Sequence, residues 1–177
     1  TFIGNSISLS PPNKNNSWDA NWGMAATKAE LAYPQLLSKS IAKNLNHNVN
    51  FKIYNLSSIA LKRTYPKNFF NLIKLDDSDV LIFQLGDNVK RKNLEYFKKD
   101  LETILSKIPR KSCGIITTPF YPDDKKNNLF LQLGIDFNYY VVDLSNIVSA
   151  SDNPDSMLAK SENFFSNKGV KAHPGNK

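Results

Sequence analysis

Apolar residues in this chain fall into five short runs separated by stretches in which they recur at helical spacing, and that alternation predicts the architecture. The first run, Thr1-Phe2-Ile3, stops at Gly4-Asn5, as a buried strand entering a turn would. Residues 49–54 alternate and predict a second strand ending at Asn55. Residues 79–85 are apolar on both faces, the signature of a central parallel strand, and stop at Gly86-Asp87-Asn88. Residues 112–118 give a fourth strand with Pro119-Phe120-Tyr121-Pro122 as its exit, and residues 139–144 a fifth.

Between the strands, Leu31, Leu36, Leu37, Ile41 and Leu45 mark a helix. Thr27 and Glu30 resemble its capping box, and Pro34 is tolerated if the regular helix begins beside it. Residues 58–75 predict helix in pieces around Pro66. Leu94, Phe97, Leu101, Ile104, Leu105 and Ile108 form an amphipathic stripe closed by Pro109, and residues 124–133 supply a further helix. Strands alternating with helices predict an α/β fold: a five-stranded parallel sheet, doubly wound with helices on both faces. Ligands of such sheets gather at the carboxyl ends of the strands. Residues 9–21, rich in Pro, Asn, Ser and Lys, read as a long loop over the end of the first strand.

Composition narrows this picture. At 177 residues and 41% hydrophobic content, residues 1–177 suit a single domain. The net charge of +7 favours acidic partners. Lys90-Arg91-Lys92, Lys98-Lys99 and Lys125-Lys126 are scattered, however, and read as solvated surface. Without aromatic residues interleaved among the basic ones, no nucleic-acid partner is expected. The one cysteine, Cys113, excludes an intramolecular disulfide and a cysteine-cluster zinc site, and its apolar neighbours predict a buried small hydrophobe. No apolar run reaches the length of about eighteen residues that a membrane span needs, and no signal peptide opens the chain. The chain starts inside a predicted strand and stops just after His173, which suggests a fragment of a longer protein whose targeting segment or fused domain is missing.

Candidate chemistry sits at the predicted strand ends. Ser6 follows the first strand directly, and a serine becomes a nucleophile when a base within about 2.6 to 3.2 Å takes its proton. Of the two histidines, His47 ends a predicted helix and suits a solvated role, whereas His173 lies in a Gly/Pro-bounded loop that can fold back over the sheet's rim. Asn88 at the third strand's end offers an amide to a developing oxyanion. Trp18 and Trp22 flank the long loop, either as an apolar platform for a sugar ring or as packing that ties the loop to the core.

These residues resemble the SGNH (GDSL-like) hydrolases. Gly4-Asn5-Ser6-Ile7-Ser8 is similar to the family's first block, with Asn5 for the more usual Asp. Gly86-Asp87-Asn88-Val89 resembles the third block and Gly169-Val170-Lys171-Ala172-His173-Pro174-Gly175 the last. Trp22-Gly23-Met24-Ala25-Ala26 is similar to a string in bacterial members that act on carbohydrate. The resemblance covers nearly the whole chain, in order. It implies a sheet between helices, Ser6 and His173 as the catalytic pair, an oxyanion hole from Ser6, Ser57 and Asn88, and Trp18, Trp22 and Gly23 as substrate-binding residues. Neither a metal nor another cofactor is implied. Ser57 stands where the second block has a glycine but keeps the backbone donor. Val170 stands where the family's acid is expected, three residues before the histidine. A backbone carbonyl near Val170, or Asp152, Asp155 or Glu162, is then the candidate orienting group.

The implied chemistry is acyl transfer through a serine ester on acetylated carbohydrate, with an anionic polysaccharide suggested by the charge. O-acetyl esterase and O-acetyltransferase share the same residues and differ in the acceptor. A cell-envelope or secreted location follows from the glycan hypothesis alone. Two readings from other classes compete: a non-catalytic carbohydrate-binding domain with a decayed site, favoured by Val170, and a flavodoxin-like nucleotide or phosphate binder. The latter lacks a Gly-rich phosphate loop and leaves His173 without a purpose.

Overall fold

A computed structural model of the chain describes residues 1–62, 78–109, 111–121, 123–145, 170 and 173. Five strands form one all-parallel sheet: β1 (Phe2–Gly4), β2 (Ile53–Asn55), β3 (Val80–Gln84), β4 (Cys113–Thr117) and β5 (Tyr140–Val142), in the order β2-β1-β3-β4-β5. Between them run α1 (Tyr33–Leu45), α2 (Ser57–Lys62), α3 (Leu94–Leu105) and α4 (Asp124–Phe137). The strand order steps one way from β1 to β2 and the other way from β3 to β5. Right-handed crossovers in two directions use both faces of a sheet, so this is the doubly wound α/β fold that the alternation predicts. Contacts group the chain into two compact units. The amino-terminal unit is Phe2–Asn55 with Ser149–Lys177, and the central unit is Leu56–Val148 with Thr1.

In the amino-terminal unit, β1 is buried along its length and pairs with β2 from Phe2↔Ile53 to Gly4↔Asn55. The second strand is shorter than the alternation over 49–54 predicts because β1 offers it only three partners. The Phe2 ring meets Tyr33 and Phe51 edge-on at 5.6 and 6.1 Å, joining strand to helix through favourable aromatic geometry. The expected capping box at Thr27 and Glu30 does not open α1. Residues Ala29–Leu31 form a separate 3-10 turn, and the helix starts after Ala32, which makes no side-chain cap hydrogen bond. Pro34 is the reason: a helix running through it would lose a hydrogen bond and clash, whereas in the first turn its missing N–H costs nothing.

Residues 9–21 are more ordered than a loop. Ser10 bridges Trp22 and Asn13 bridges Trp18 in antiparallel pairs, making a two-stranded finger with a 3-10 tip at Lys14–Asn16. Its tip is closed by the Asn13 side chain, which accepts from the Asn15 N–H at 3.0 Å, and by Ser17 in the left-handed region. The turn formers Asn15-Asn16-Ser17 between the bridged positions are the signal that marks such a hairpin.

The central unit buries Leu81, Phe83 and Leu85 of β3 and its exit, Phe97, Leu101 and Ile104 of α3, and Phe130 and Leu133 of α4, with the Phe97 and Phe130 rings in contact at 6.1 Å. Asp123 caps α4 by accepting from the Lys126 N–H at 3.2 Å. Gly86 has φ +103, and a Cβ there would stand 2.6 Å from the Phe130 ring, so the strand exit needs a glycine both for its backbone and for this contact. Cys113 is exposed, not buried as its neighbours suggest. It is the first residue of β4, and burial sets in only further along the strand. The broken helix expected around Pro66 is described only as far as α2, and residues 63–77 lie outside the described residues. Among the described residues no helix is long and apolar enough to cross a membrane.

Candidate active site

The turn after β1 is built by Asn5. Its side chain, 2% exposed, accepts from the Ile7 N–H at 2.9 Å, and its carbonyl accepts from the N–H groups of Ser8 and Leu9 at 3.1 and 3.0 Å. An aspartate would supply the same acceptor but would bury a charge, which explains how an amide serves here. The turn holds Ser6 half-buried at the strand's end, and the Ser6 carbonyl accepts from the Met24 N–H at 2.7 Å.

His173 meets Ser6 directly: Ser6 Oγ and His173 Nε2 are 2.7 Å apart. With Nε2 unprotonated the hydroxyl donates to it, the arrangement a base needs in order to activate a serine. The histidine's backbone N–H donates to the Val170 carbonyl at 2.9 Å. Val170 is 1% exposed and packs in a cluster with Trp18, Ala20, Met24 and Ala25, against which Trp22 lies half-buried. The position expected to carry an acid is therefore an apolar anchor. His47 is exposed just beyond α1, as its sequence position predicts, and its N–H closes on the Ala42 carbonyl.

The tryptophans are not an exposed pair. Trp18 is 4% exposed and donates its indole N–H to the Ser10 carbonyl at 3.1 Å, so its polar edge is satisfied inside the finger and the ring packs the loop down. This corrects Trp18 as a sugar platform. Trp22 stands edge-on to it at 6.1 Å, donates to the Ala26 carbonyl at 2.8 Å and keeps part of its surface accessible. Gly23 is buried: a Cβ there would stand 2.3 Å from the Ile7 carbonyl oxygen. Its role is this close approach to the nucleophile turn, in place of the expected substrate contact.

Ser57 and Asn88 belong to the central unit. Ser57 is the first residue of α2, directly beyond β2, and Asn88 is exposed in the turn beyond β3. That turn is braced by Asp87, a residue to which the sequence reading gave no role. Asp87 Oδ2 accepts from Gln84 at 2.8 Å, and Oδ1 accepts from the backbone N–H groups of Phe120 and Tyr121 at 2.8 and 3.3 Å. The Asp87 carbonyl accepts from Lys126 Nζ at 3.0 Å. Lys126 is only 7% exposed, which corrects its reading as solvated surface: its ammonium is directed at the turn from the first turn of α4. An aspartate in a strand-exit turn, opposite a Pro-rich loop with N–H groups to satisfy, is the signal for such a brace. Burial, with the Asp87 carboxylate second, pushes the Tyr121 phenol up to about 12.

Asp152, Asp155 and Glu162, considered as orienting carboxylates, lie outside the described residues, as do Gly169, Lys171, Ala172, Pro174 and Gly175 of the last motif. Compared with family models, curated proteins and solved structures, the chain matches none.

Proposed function

We propose that this protein is a serine esterase of the SGNH type that removes acetyl groups from carbohydrate. The observation that carries the reading is the 2.7 Å approach of His173 Nε2 to Ser6 Oγ, on a serine presented at the end of a parallel strand. The ordered motifs around Ser6, Asn88 and His173 add to it.

In the proposed reaction His173 takes the Ser6 proton as Oγ attacks the ester carbonyl. The oxyanion accepts from the Ser6 N–H, and the motif order proposes Asn88 and Ser57 as the residues to test for further donors. The intermediate collapses as His173 protonates the departing sugar oxygen, leaving an acetyl ester on Ser6. Water, deprotonated by the same histidine, then releases acetate and restores the serine. An O-acetyltransferase differs only in the second step, where a sugar hydroxyl of an acceptor replaces water. The net charge of +7 favours an anionic polysaccharide as the carrier of the acetyl groups, and a cell-envelope or secreted setting goes with that substrate.

Acetate release from a small acetyl ester and from acetylated bacterial glycan, compared between the parent and Ser6→Ala, tests the reading. Activity in the parent that is lost in the variant supports it, and added acceptor sugars then separate hydrolysis from transfer. A parent that is inert on both substrates, with a variant indistinguishable from it, moves the assignment to a non-catalytic carbohydrate-binding domain.

A further inference from the structure

His173 follows a valine where the resembled family carries its acid, yet its imidazole reaches Ser6. We infer that the strap at residues 22–25 positions His173 by gripping Val170, so that apolar packing at this position orients the imidazole. The inference rests on the Ser6–His173 pair proposed above.

One side of the strap holds the nucleophile turn. The Met24 N–H donates to the Ser6 carbonyl at 2.7 Å, and Gly23 lies so close to the Ile7 carbonyl that no side chain fits between them. The other side holds the histidine turn. Met24 and Ala25, with Trp18 from the finger, bury Val170, whose carbonyl receives the His173 N–H at 2.9 Å. One short strap, with Met24 engaged on both sides, therefore touches both ends of the 2.7 Å contact between Oγ and Nε2. Ala25 shows that this path is imposed from outside: it is fully buried with φ +74, a backbone state that an alanine adopts only where its surroundings demand it. In a cluster this enclosed an acid at position 170 would place a charge among Trp18, Met24 and Ala25.

The test uses protein with 15N-labelled histidine, in which exposed His47 is an internal reference, together with the rate at which a fluorophosphonate labels Ser6. The parent, Ser6→Ala, Val170→Ala, Val170→Ile, Val170→Asp and Ala25→Gly are compared. Ser6→Ala is expected to move the His173 nitrogen resonances and leave those of His47 in place. Val170→Ala is expected to move His173 towards His47 and to slow labelling about 10-fold or more, since a misplacement of about 1 Å can cost about 100-fold. Val170→Ile, which keeps a branched apolar contact, retains more of the rate than Val170→Ala, and Val170→Asp labels more slowly than the parent. Ala25→Gly, which suits the left-handed backbone and so keeps the fold, loosens the strap and shifts His173 should Val170→Ala fail to fold.

The inference is overturned if His173 and the labelling rate stay at parent values in Val170→Ala and Ala25→Gly, or if Val170→Asp labels faster than the parent. A parent that resists the fluorophosphonate while His173 still responds to Ser6→Ala and Val170→Ala supports the positioning and removes the catalytic reading instead.

Discussion

Ser6 and His173 are 167 residues apart in the chain, and their side chains lie 2.7 Å apart at Oγ and Nε2. Two turns deliver that contact. One is closed by the Asn5 side chain beyond β1; the other hangs from the buried Val170.

If the pair is catalytic, Ser6→Ala and His173→Ala each lower kcat on an acetyl ester by about 1000-fold or more, and the double variant is little worse than either single one, because groups that act as a unit are not additive. Both sites are only partly buried, so circular dichroism and Tm stay near the parent values. A His173→Ala enzyme that turns over at the parent rate would refute the dyad.

Asn88→Ala tests the oxyanion assignment apart from the dyad. The residue is exposed in the turn after β3, so stability should hardly change. Loss of a donor that acts in the transition state lowers kcat by about 100- to 1000-fold with KM nearly unaltered. Equal falls in Tm and activity would instead assign Asn88 a structural role.

Gly86→Ala is expected to destabilise the protein by about 1 to 3 kcal/mol, since it forces a left-handed backbone at φ +103 and drives a methyl group into the Phe130 ring. Thermal melting of the variant reads this directly, and an unchanged Tm would mean that the strand exit can repack around a side chain.

Acid stability should depend on Asp123. The Arg91 guanidinium, bonded to it at 2.8 Å, holds its carboxyl below the usual carboxylate range, with the Lys126 N–H adding to the effect. A folded pKa below the unfolded value of about 3.9 contributes stability above that pH and loses it as the pH falls through the folded value. Asp123→Asn keeps an acceptor for the helix cap but removes the charge, so its melting profile should be flatter than the parent's below about pH 4. Superimposable profiles would show that the exposed pair adds nothing, as surface ion pairs often do.

The burial expected of Cys113 and the exposure expected of Lys126 were both reversed by the fold. Identity of the neighbours suggested an inside position for the cysteine, but it is the first residue of β4, where the strand has not yet entered the core. Three basic stretches looked alike in the sequence, yet Lys126 lies in the first turn of α4, where its ammonium reaches the Asp87 carbonyl and is withdrawn from solvent. Trp18 illustrates the same limit: a tryptophan in a polar segment is compatible with a platform or a plug, and the finger's carbonyl at Ser10 made it a plug.

The sequence by itself determined the five strands and the three long helices among the described residues, because apolar periodicity and Gly/Pro punctuation are local properties of the chain. It therefore determined the α/β class as well, and it singled out Ser6, Asn88 and His173 as residues that follow strand ends or lie in a returning loop. Only the tertiary structure decided that His173 reaches Ser6, that Val170 is an anchor and that Asp87 braces the turn bearing Asn88. Each of these depends on groups distant in sequence meeting across turns and packed clusters, and no local pattern encodes the distance at which they meet.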